Sequence, residues 1–334
     1  MQYEAGKTFE EPEAETCAKG LHFCEFPLDC LSYYRPSSSR YAKVEANEAT
    51  EKDGEDTKRA TTKLKIRDEL KTSQLIHDSI DYIEKQSGQS SVYCGEAAKT
   101  TENSAAAIVQ KAYSAALGQN SWNLAMTTAS RSIAATYGGS SVAVAAANYS
   151  AAMTNDCYSA ALAIGGYSIA LAQTDFSAAV TMGYHAKAEA TGSISAAMAM
   201  GDNSTAKATA TNSIAITMRQ GSEATASGHR SLSGTLGSDS IATATGSHSI
   251  AVTTKIYSKA TATGENSVAA VFGANSEASA ALGAWIILTE RDTRHNIIAI
   301  KAAQIDGETY KPNTPYMISS GEIIECPPDE SSNP

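Results

Sequence analysis

The sequence has no long apolar run and no surplus of basic residues, and each absence argues against a class of function. No hydrophobic stretch reaches the roughly 20 residues that a transmembrane helix needs, so we expect no membrane partner. Asp and Glu number 36 against 26 Lys and Arg, with no basic stripe, which argues against a nucleic-acid partner. The first residues show no signal-peptide pattern.

Cysteines and aromatic residues are also few. Six cysteines are scattered through 334 residues, and without a secretory pattern we expect reduced thiols in a cytoplasm. Aromatic residues make up 7% of the chain, so we do not expect a core built mainly of large rings. No set of catalytic residues converges in the sequence, and we therefore predict a protein that is not an enzyme and needs no cofactor.

The dominant feature of the sequence is a nine-residue repeat between Ser114 and Ala284. It reads Ser-x-Ala-x-Ala/Thr-x-Gly-x-x, and only Asn123 and Ala186 interrupt its serine column. A short fixed period is typical of a solenoid. An Ala-rich helix is the alternative, but its serines would change faces with every repeat, and Gly and β-branched residues are poor helix formers.

Alternation along a strand assigns a direction to each position of the repeat. Ser, Ala and Thr at the first, third and fifth positions should line the inside of a narrow coil. The Gly should supply the positive φ of a tight corner. The outward positions add a second period of eighteen, because apolar and polar rows alternate. We therefore predict a mainly β protein containing a parallel β-solenoid, with two nonapeptides, or 18 residues, in each coil.

One outer face of this coil carries no charge, and we call it the apolar face. Its rows would form a strip roughly 40 Å long, and monomers seldom expose so long an apolar strip. We therefore predict a homo-oligomer whose interface contains Leu124, Met126, Val142, Val144, Leu162, Val180, Met198, Met200, Ile214, Ile216, Met218, Leu232, Leu236, Ile250, Val252, Val268 and Phe272.

The opposite face changes character along the chain. It is uncharged before Ala186 and carries charges in almost every row from Lys187 onward. We expect the N-terminal domain to cover the early rows and solvent to meet the later ones. Aromatic residues at the coil corners could form a sugar-binding ladder, but packing against the N-terminal domain is favoured for Tyr113, Tyr149, Tyr167, Trp122, Tyr158 and Phe176.

Three regions follow from these patterns: a small α+β domain over residues 1–98, the solenoid over 99–284, and a small β cap with a disordered tail over 285–334. In the first region we predict helices over 11–19, 27–34 and 72–87 and strands over 21–26, 41–46 and 60–66. In the cap we predict strands over 285–288, 296–300, 309–311, 316–319 and 322–326.

Four residues of the N-terminal region are weak candidates for metal ligands. They are Cys17, His22, Cys24 and Cys30, whose spacing matches no standard zinc site. Small buried thiols and a buried imidazole are the simpler interpretation. A catalytic pair of His22 and Cys24 would lack an orienting Asp or Asn. We therefore predict no bound metal.

Several short strings near the N-terminus carry a resemblance. Residues 3–7, 20–24 and 27–29, together with Tyr33 and Tyr34, resemble an uncharacterised domain of phage and prophage proteins over about the first 90 residues. The resemblance implies a viral origin and brings no activity with it.

The repeats carry a second resemblance. Residues 240–246 and 265–273 are similar to the head repeats of trimeric autotransporter adhesins, which form left-handed β-rolls. The resemblance implies a trimer. The sequence shows no coiled-coil stalk and no membrane anchor, so we do not expect an outer-membrane adhesin.

Together these features predict a non-enzymatic oligomer of phage origin with a structural or binding role, such as a fibre, spike or decoration protein. The alternative is an intracellular phage factor that sequesters or blocks a host defence component. The expected partners are further copies of the chain and either the phage particle or a host protein. The expected location is the virion or the host cytoplasm.

Overall fold

The computed structural model describes residues 3–51, 56–86 and 97–327. The protein is mainly β and forms a parallel β-solenoid of about 11 turns, which confirms the predicted fold class. The chain divides into two compact units, Met1–Leu171 and Ala172–Pro334. No helix in the described part of the chain is long and apolar enough to span a bilayer.

The first unit begins with a small mixed domain. Its elements are β1 (Thr8–Glu10), β2 (Leu21–Cys24), a 3-10 helix (Pro27–Ser32), β3 (Tyr41–Ala46), β4 (Lys58–Thr61), β5 (Lys63–Leu70) and α1 (Thr72–Gln86). Strand β5 lies between β1 and β3, and β2 pairs with β4, all antiparallel.

Two predictions for this domain are wrong. Residues 11–19 are not a helix, because the chain reverses there: Glu15 and Lys19 form an isolated β-bridge around Cys17, whose φ is 67°. The predicted strand over residues 60–66 is two strands, β4 and β5, which belong to different sheets. The break at Thr62 lets β4 pair with β2 in one sheet while β5 pairs with β1 and β3 in the other.

The repeats of the first unit supply nine strands. They are β6 (Ala97–Thr100), β7 (Ala106–Val109), β8 (Ala115–Gly118), β9 (Leu124–Thr127), β10 (Ile133–Thr136), β11 (Val142–Ala145), β12 (Ala151–Thr154), β13 (Ala160–Ala163) and β14 (Ile169–Ala172). Neighbours in each sheet are two strands apart in the chain, as in the register Ile133↔Ala151, so one coil contains 18 residues as predicted.

The second unit continues this pattern with twelve repeat strands. They are β15 (Ala178–Thr181), β16 (Lys187–Ala190), β17 (Ala196–Ala199), β18 (Thr205–Ala208), β19 (Ile214–Thr217), β20 (Glu223–Ala226), β21 (Leu232–Thr235), β22 (Ile241–Ala244), β23 (Ile250–Thr253), β24 (Lys259–Ala262), β25 (Val268–Val271) and β26 (Glu277–Ala280). The even-numbered and odd-numbered strands form separate parallel sheets.

Four further strands end the second unit: β27 (Trp285–Arg291), β28 (Ile297–Gln304), β29 (Tyr316–Ser319) and β30 (Glu322–Glu325). Strands β29 and β30 form a hairpin whose turn residues Ser320 and Gly321 both have positive φ. The strand predicted over 309–311 does not form. One carboxylate oxygen of Asp306 instead accepts the backbone N–H groups of residues 308, 309 and 310, which holds that segment in a turn.

Inside the coil, each serine hydroxyl links stacked turns. The Oγ of Ser204 accepts the N–H of Ala186 at 3.0 Å. It also lies 3.1 Å from the carbonyl oxygen of Gly183 and 3.2 Å from that of Asp202, to which it can donate. The same pattern recurs at Ser240 in the same sheet and at Ser231 in the other. Serine is therefore the hydrogen-bonding element of the core as well as a small residue.

The corner glycines have a different role from the predicted one. Positive φ falls on the residue before each serine, as in Ile194 (54°) and Asn203 (51°). A Cβ on Gly201 would lie 2.0 Å from the carbonyl oxygen of Gly183. The glycine is thus required by the close approach of two stacked backbones, and the prediction that it supplies the left-handed corner is wrong.

Candidate functional site

The outer face of β8, β10, β12 and β14 is covered by the N-terminal domain, as predicted. Leu117, Met153 and Ile169 are at most 3% exposed. They share one core with side chains of the 3-10 helix and of α1, which include Leu28 and Ile76. The early rows of this face therefore lack charged residues because the N-terminal domain of the same unit buries them.

A buried ion pair lies in the same interface. Asp29 is fully buried, and its Oδ2 accepts both the N–H and the hydroxyl of Thr57 at 2.8 Å. Its Oδ1 lies 3.0 Å from Nε of Arg131, and that guanidinium is 5.8 Å from the ring of Tyr113 and 5.5 Å from that of Tyr149. Burial raises the pKa of Asp29, while Thr57 and Arg131 act in the opposite direction.

The apolar face of the first unit is not covered by its own chain. Its predicted interface residues Leu124, Met126, Val144 and Leu162 are half-buried, and Val142 is exposed. None of the outward side chains of β9, β11 and β13 is charged.

The apolar face of the second unit is also open. Ile214, Met218, Leu236 and Ile250 are exposed by 38–46%. The other predicted interface residues of this unit are half-buried, namely Val180, Met198, Met200, Ile216, Leu232, Val252, Val268 and Phe272.

The second unit extends this face beyond the predicted residues. Trp285 and Ile287 stand in register with Val268 and Ala270, one strand further along the sheet. Ile298 and Ile300 of the adjoining β28 are 60% and 57% exposed. The repeat pattern ends before these residues, so the eighteen-residue period could not find them.

The opposite face of the second unit is hydrated, in agreement with the sequence. Two ion pairs on this face are partly exposed, Lys187 with Glu189 at 3.0 Å and, more open to solvent, Lys259 with Glu277 at 2.7 Å. Such pairs contribute little to stability, about 0–1 kcal/mol. The face needs no cover.

The aromatic corner residues are divided between two environments. Tyr113 is buried, with its ring 5.4 Å from that of Phe26, and Tyr149 packs against the same core. Trp122 and Tyr158 are 68% and 66% exposed. Packing against the N-terminal domain is therefore wrong for these two residues of the second edge. Phe176, in the second unit, is 47% exposed. The domain contacts the corners that precede β8, β10 and β12, through Tyr113, Arg131 and Tyr149. On the first edge, Tyr167 stacks on Tyr149 at 5.3 Å.

The four weak metal candidates line one cavity of about 270 Å³ in the N-terminal domain. Nε2 of His22 accepts the N–H of Cys17 at 3.2 Å, so its lone pair is already used. A hydrogen bond with Cys30, followed by burial, raises the pKa of the Cys24 thiol. Within the described ranges no three His, Cys, Asp or Glu side chains are placed to hold a metal ion.

Lys58 and Tyr33 complete the wall of this cavity. The ammonium of Lys58 lies 4.1 Å from the centre of the Tyr33 ring. Burial, followed by a hydrogen bond to Asp56, raises the pKa of Tyr33 to about 12. The cysteines of the described ranges, at positions 17, 24, 30, 157 and 326, are free thiols, and Cys94 lies outside those ranges.

Comparison with known proteins identifies only the N-terminal domain. Residues 1–78 match a family described as a domain of unknown function (DUF7666). The DUF7666 domain is thus the part of the chain that holds the cysteine-lined cavity and most of the cover over the early solenoid rows. No curated protein and no solved structure matches the chain.

Proposed function

We propose that this protein is a non-enzymatic, structural or binding component of a phage, such as a fibre, spike or decoration protein, and that it works as a homo-oligomer. The observation that carries the proposal is the apolar face. Its outward side chains are uncharged in both units, and none of the predicted interface residues is buried within the chain.

The energetics of this face favour self-association. Burying one large aliphatic side chain contributes about 1.5–3 kcal/mol, and the face offers more than a dozen that are partly exposed. Half that gain from each would total on the order of 10–20 kcal/mol, against an association cost of about 4–15 kcal/mol. An identical face is a suitable partner, because it brings no charge that would need a counterion.

The subunit number and the origin rest on the two sequence resemblances. The repeats are similar to those of adhesin heads that associate as trimers, so we propose a trimer. The N-terminal domain resembles a domain of phage and prophage proteins, so we propose a phage origin. The match to DUF7666 agrees with a family domain at that place and assigns it no activity.

The assembly is tested by replacing two outward residues of β19 and its corner, Ile216→Asp and Met218→Asp together. Carboxylates there would be buried unpaired in the interface, so we expect the mass to fall to that of one 34.8 kDa chain. Light scattering on the purified protein measures the mass.

Thr243→Asp with Thr245→Asp is the matched control. These residues occupy the same repeat positions on the hydrated face, and this variant should keep the mass of the parent. Two results would contradict the proposal that the apolar face is buried between copies of the chain. One is a parent with the mass of a single chain, and the other is an Ile216 and Met218 variant that keeps the mass of the parent.

A second function is favoured by the surface of the N-terminal domain. Tyr33 and Tyr34, beside the cysteine-lined cavity, are 45% and 60% exposed. Exposed tyrosines are common in protein-binding surfaces, which suits an intracellular factor that captures a host protein. Proteomics of purified particles separates the two: stoichiometric presence in virions supports the structural role, and restriction to the lysate of infected cells supports the intracellular one.

A further inference from the structure

The second unit contains a cavity that none of the foregoing roles uses. It has a volume of about 340 Å³ and lies beside the coil corners that follow β21, β23 and β25. The walls also include the end of β27 and the turn to β28. Its lining residues are Ser238, Thr254, Lys255, Ile256, Gly273, Ala274, Arg291 and His295.

Three basic side chains and no acidic one line this cavity, in a chain whose net charge is −10. The side chains of Lys255 and His295 make no hydrogen bond or salt bridge within the described residues. Gly273 and Ala274 add backbone N–H groups that find no acceptor in that same part of the chain. The cavity therefore presents unpaired donors and the charge of Lys255, while the carboxylate of Asp292 lies close enough to His295 to interact with it electrostatically.

The acids next to the lining residues in sequence are already engaged. Asp292 accepts the N–H groups of Arg294 and Asn296 and the side-chain amide of Asn296. Asp239 accepts the side-chain amide of Gln220 at 2.9 Å. These hydrogen bonds fix the corner and the turn, and Asp292 also interacts electrostatically with His295. Lys255 and the free edge of Arg291 are therefore the cationic groups available for a ligand.

Arg291 is held rigidly at the edge of the cavity. Its Nε donates to the carbonyl oxygen of Phe272 at 2.6 Å, and one terminal nitrogen donates to that of His295 at 2.7 Å. Because these two donors are occupied, the guanidinium cannot offer its side-on fork to a planar carboxylate. A tetrahedral anion suits this cavity, because it can be contacted from several sides. Its contacts would be the remaining guanidinium edge of Arg291, the ammonium of Lys255 and the imidazole of His295.

We propose that this cavity binds a tetrahedral dianion of the phosphate class, either phosphate itself or the phosphate group of a small monoester. Lys255 supplies a charge-assisted contact, the imidazole of His295 supplies a hydrogen bond, and Arg291 supplies a fixed charge-assisted contact. The site lies within one unit, so it does not depend on the proposed assembly.

Isothermal titration of the full chain with inorganic phosphate, at constant ionic strength and neutral pH, tests the proposal. The variant Lys255→Gln with His295→Gln should bind roughly tenfold more weakly or worse, because the charge-assisted contact of Lys255 and the imidazole contact of His295 are both lost. Its thermal unfolding should match that of the parent, since neither side chain has a structural partner. Lys207→Gln with His248→Gln, two exposed residues of the same unit, should leave the affinity unchanged.

Other ligands sharpen the assignment. Sulfate should bind comparably and acetate much more weakly. Glycerol 3-phosphate binding more tightly than phosphate would identify a monoester site, and equal binding would identify phosphate. The proposal is overturned if phosphate gives no saturable binding, if the double variant binds as well as the parent, or if acetate competes equally. The monomeric Ile216 and Met218 variant should retain the site, which separates this result from a failure of the assembly proposal.

Discussion

Two uncharged surfaces of this protein have similar side chains and different surroundings. On the outer face of β10 and β12, Ile133 and Met153 are fully buried beneath the N-terminal domain. On the outer face of β19 and β23, Ile214 and Ile250 are 40% and 45% exposed. An uncharged row thus indicates that a face is meant to be covered, but it does not indicate by what. The chain supplies the cover in the first case, and we propose that further copies supply it in the second.

The covered surface differs from the open one by its single ion pair, and removing one partner should have the largest effect on stability. Arg131→Ala leaves the carboxylate of Asp29 buried without its cation, which typically costs about 3–5 kcal/mol. Urea unfolding followed by circular dichroism measures this loss. The double change Asp29→Asn with Arg131→Met should cost clearly less, and a single variant as stable as the parent would show that the pair does not hold the domain in place.

The same pair predicts a pH dependence. Burial raises the pKa of Asp29 and Arg131 lowers it, so removing Arg131 should raise it further. An acid whose pKa is higher in the folded than in the unfolded state gives stability that grows as pH falls and is lost as pH rises. The penalty of Arg131→Ala should therefore be smaller at about pH 4.5 than at neutrality. Equal penalties in urea titrations at both values would contradict this coupling.

Equivalent truncations on the two faces should differ strongly. Met153→Ala opens a cavity beneath the N-terminal domain and should cost about 2–5 kcal/mol. Met126→Ala, on the half-buried apolar face of the same unit, should change chain stability by less than about 1 kcal/mol while weakening assembly. Chemical denaturation gives the first quantity, and light scattering over a dilution series gives the second. Similar losses of chain stability would mean that the two faces are equally covered.

The coil itself is common to both surfaces, and its serines can be tested separately. Ser204→Ala removes the only acceptor that the structure gives the buried N–H of Ala186 and should cost about 1–3 kcal/mol. Thermal unfolding of the monomeric variant background measures this effect without a contribution from assembly. If Ser204→Ala leaves the stability unchanged, the serines of the repeat are required only because they are small.

The smallest expected effect is a gain. Ile194 is a β-branched residue at φ 54°, whereas Asn occupies the same corner position at 203 and 212. Because Asn tolerates this conformation better, Ile194→Asn should stabilise the chain by about 1 kcal/mol. Ser193→Asn, next to it in the same turn, is the control that should bring no such gain. Loss of stability in the Ile194 variant would mean that its exposed side chain makes a contact outside the chain.

The solenoid could be predicted from the repeat, because each nonapeptide forms the same strand and corner with the same inward-facing positions. Strand β18 begins directly after Ser204, and Ala206 and Ala208 point inward as alternation requires. The corner was misread because sequence shows a glycine column but not its cause. A positive φ and a close backbone approach both select glycine, and only the 2.0 Å contact at Gly201 distinguishes them.

The candidate sites were predictable only where they follow the period. The apolar face recurs every eighteen residues, so Ile214 and Ile250 could be found from sequence. Trp285 and Ile298 lie past the last repeat. The cavity of Lys255, Arg291 and His295 joins a coil corner to a turn some forty residues further along the chain. No local pattern connects such segments. The helix predicted over residues 11–19 was wrong for a different reason, because a non-glycine residue, Cys17, adopts the positive φ of the reversal between Glu15 and Lys19.

The serine ladder has a consequence for how this protein can change in length. The hydroxyl of Ser240 bonds only to its own coil and to the coil before it, so no contact in the ladder depends on the total number of coils. Insertion or deletion of eighteen residues would add or remove one coil, a step of about 4.8 Å along the sheet, while the alternation of the two kinds of row continues unchanged. An insertion of nine would exchange the two faces downstream of it. The number of coils can therefore change in steps of one without altering the hydrogen bonds of the coils that remain.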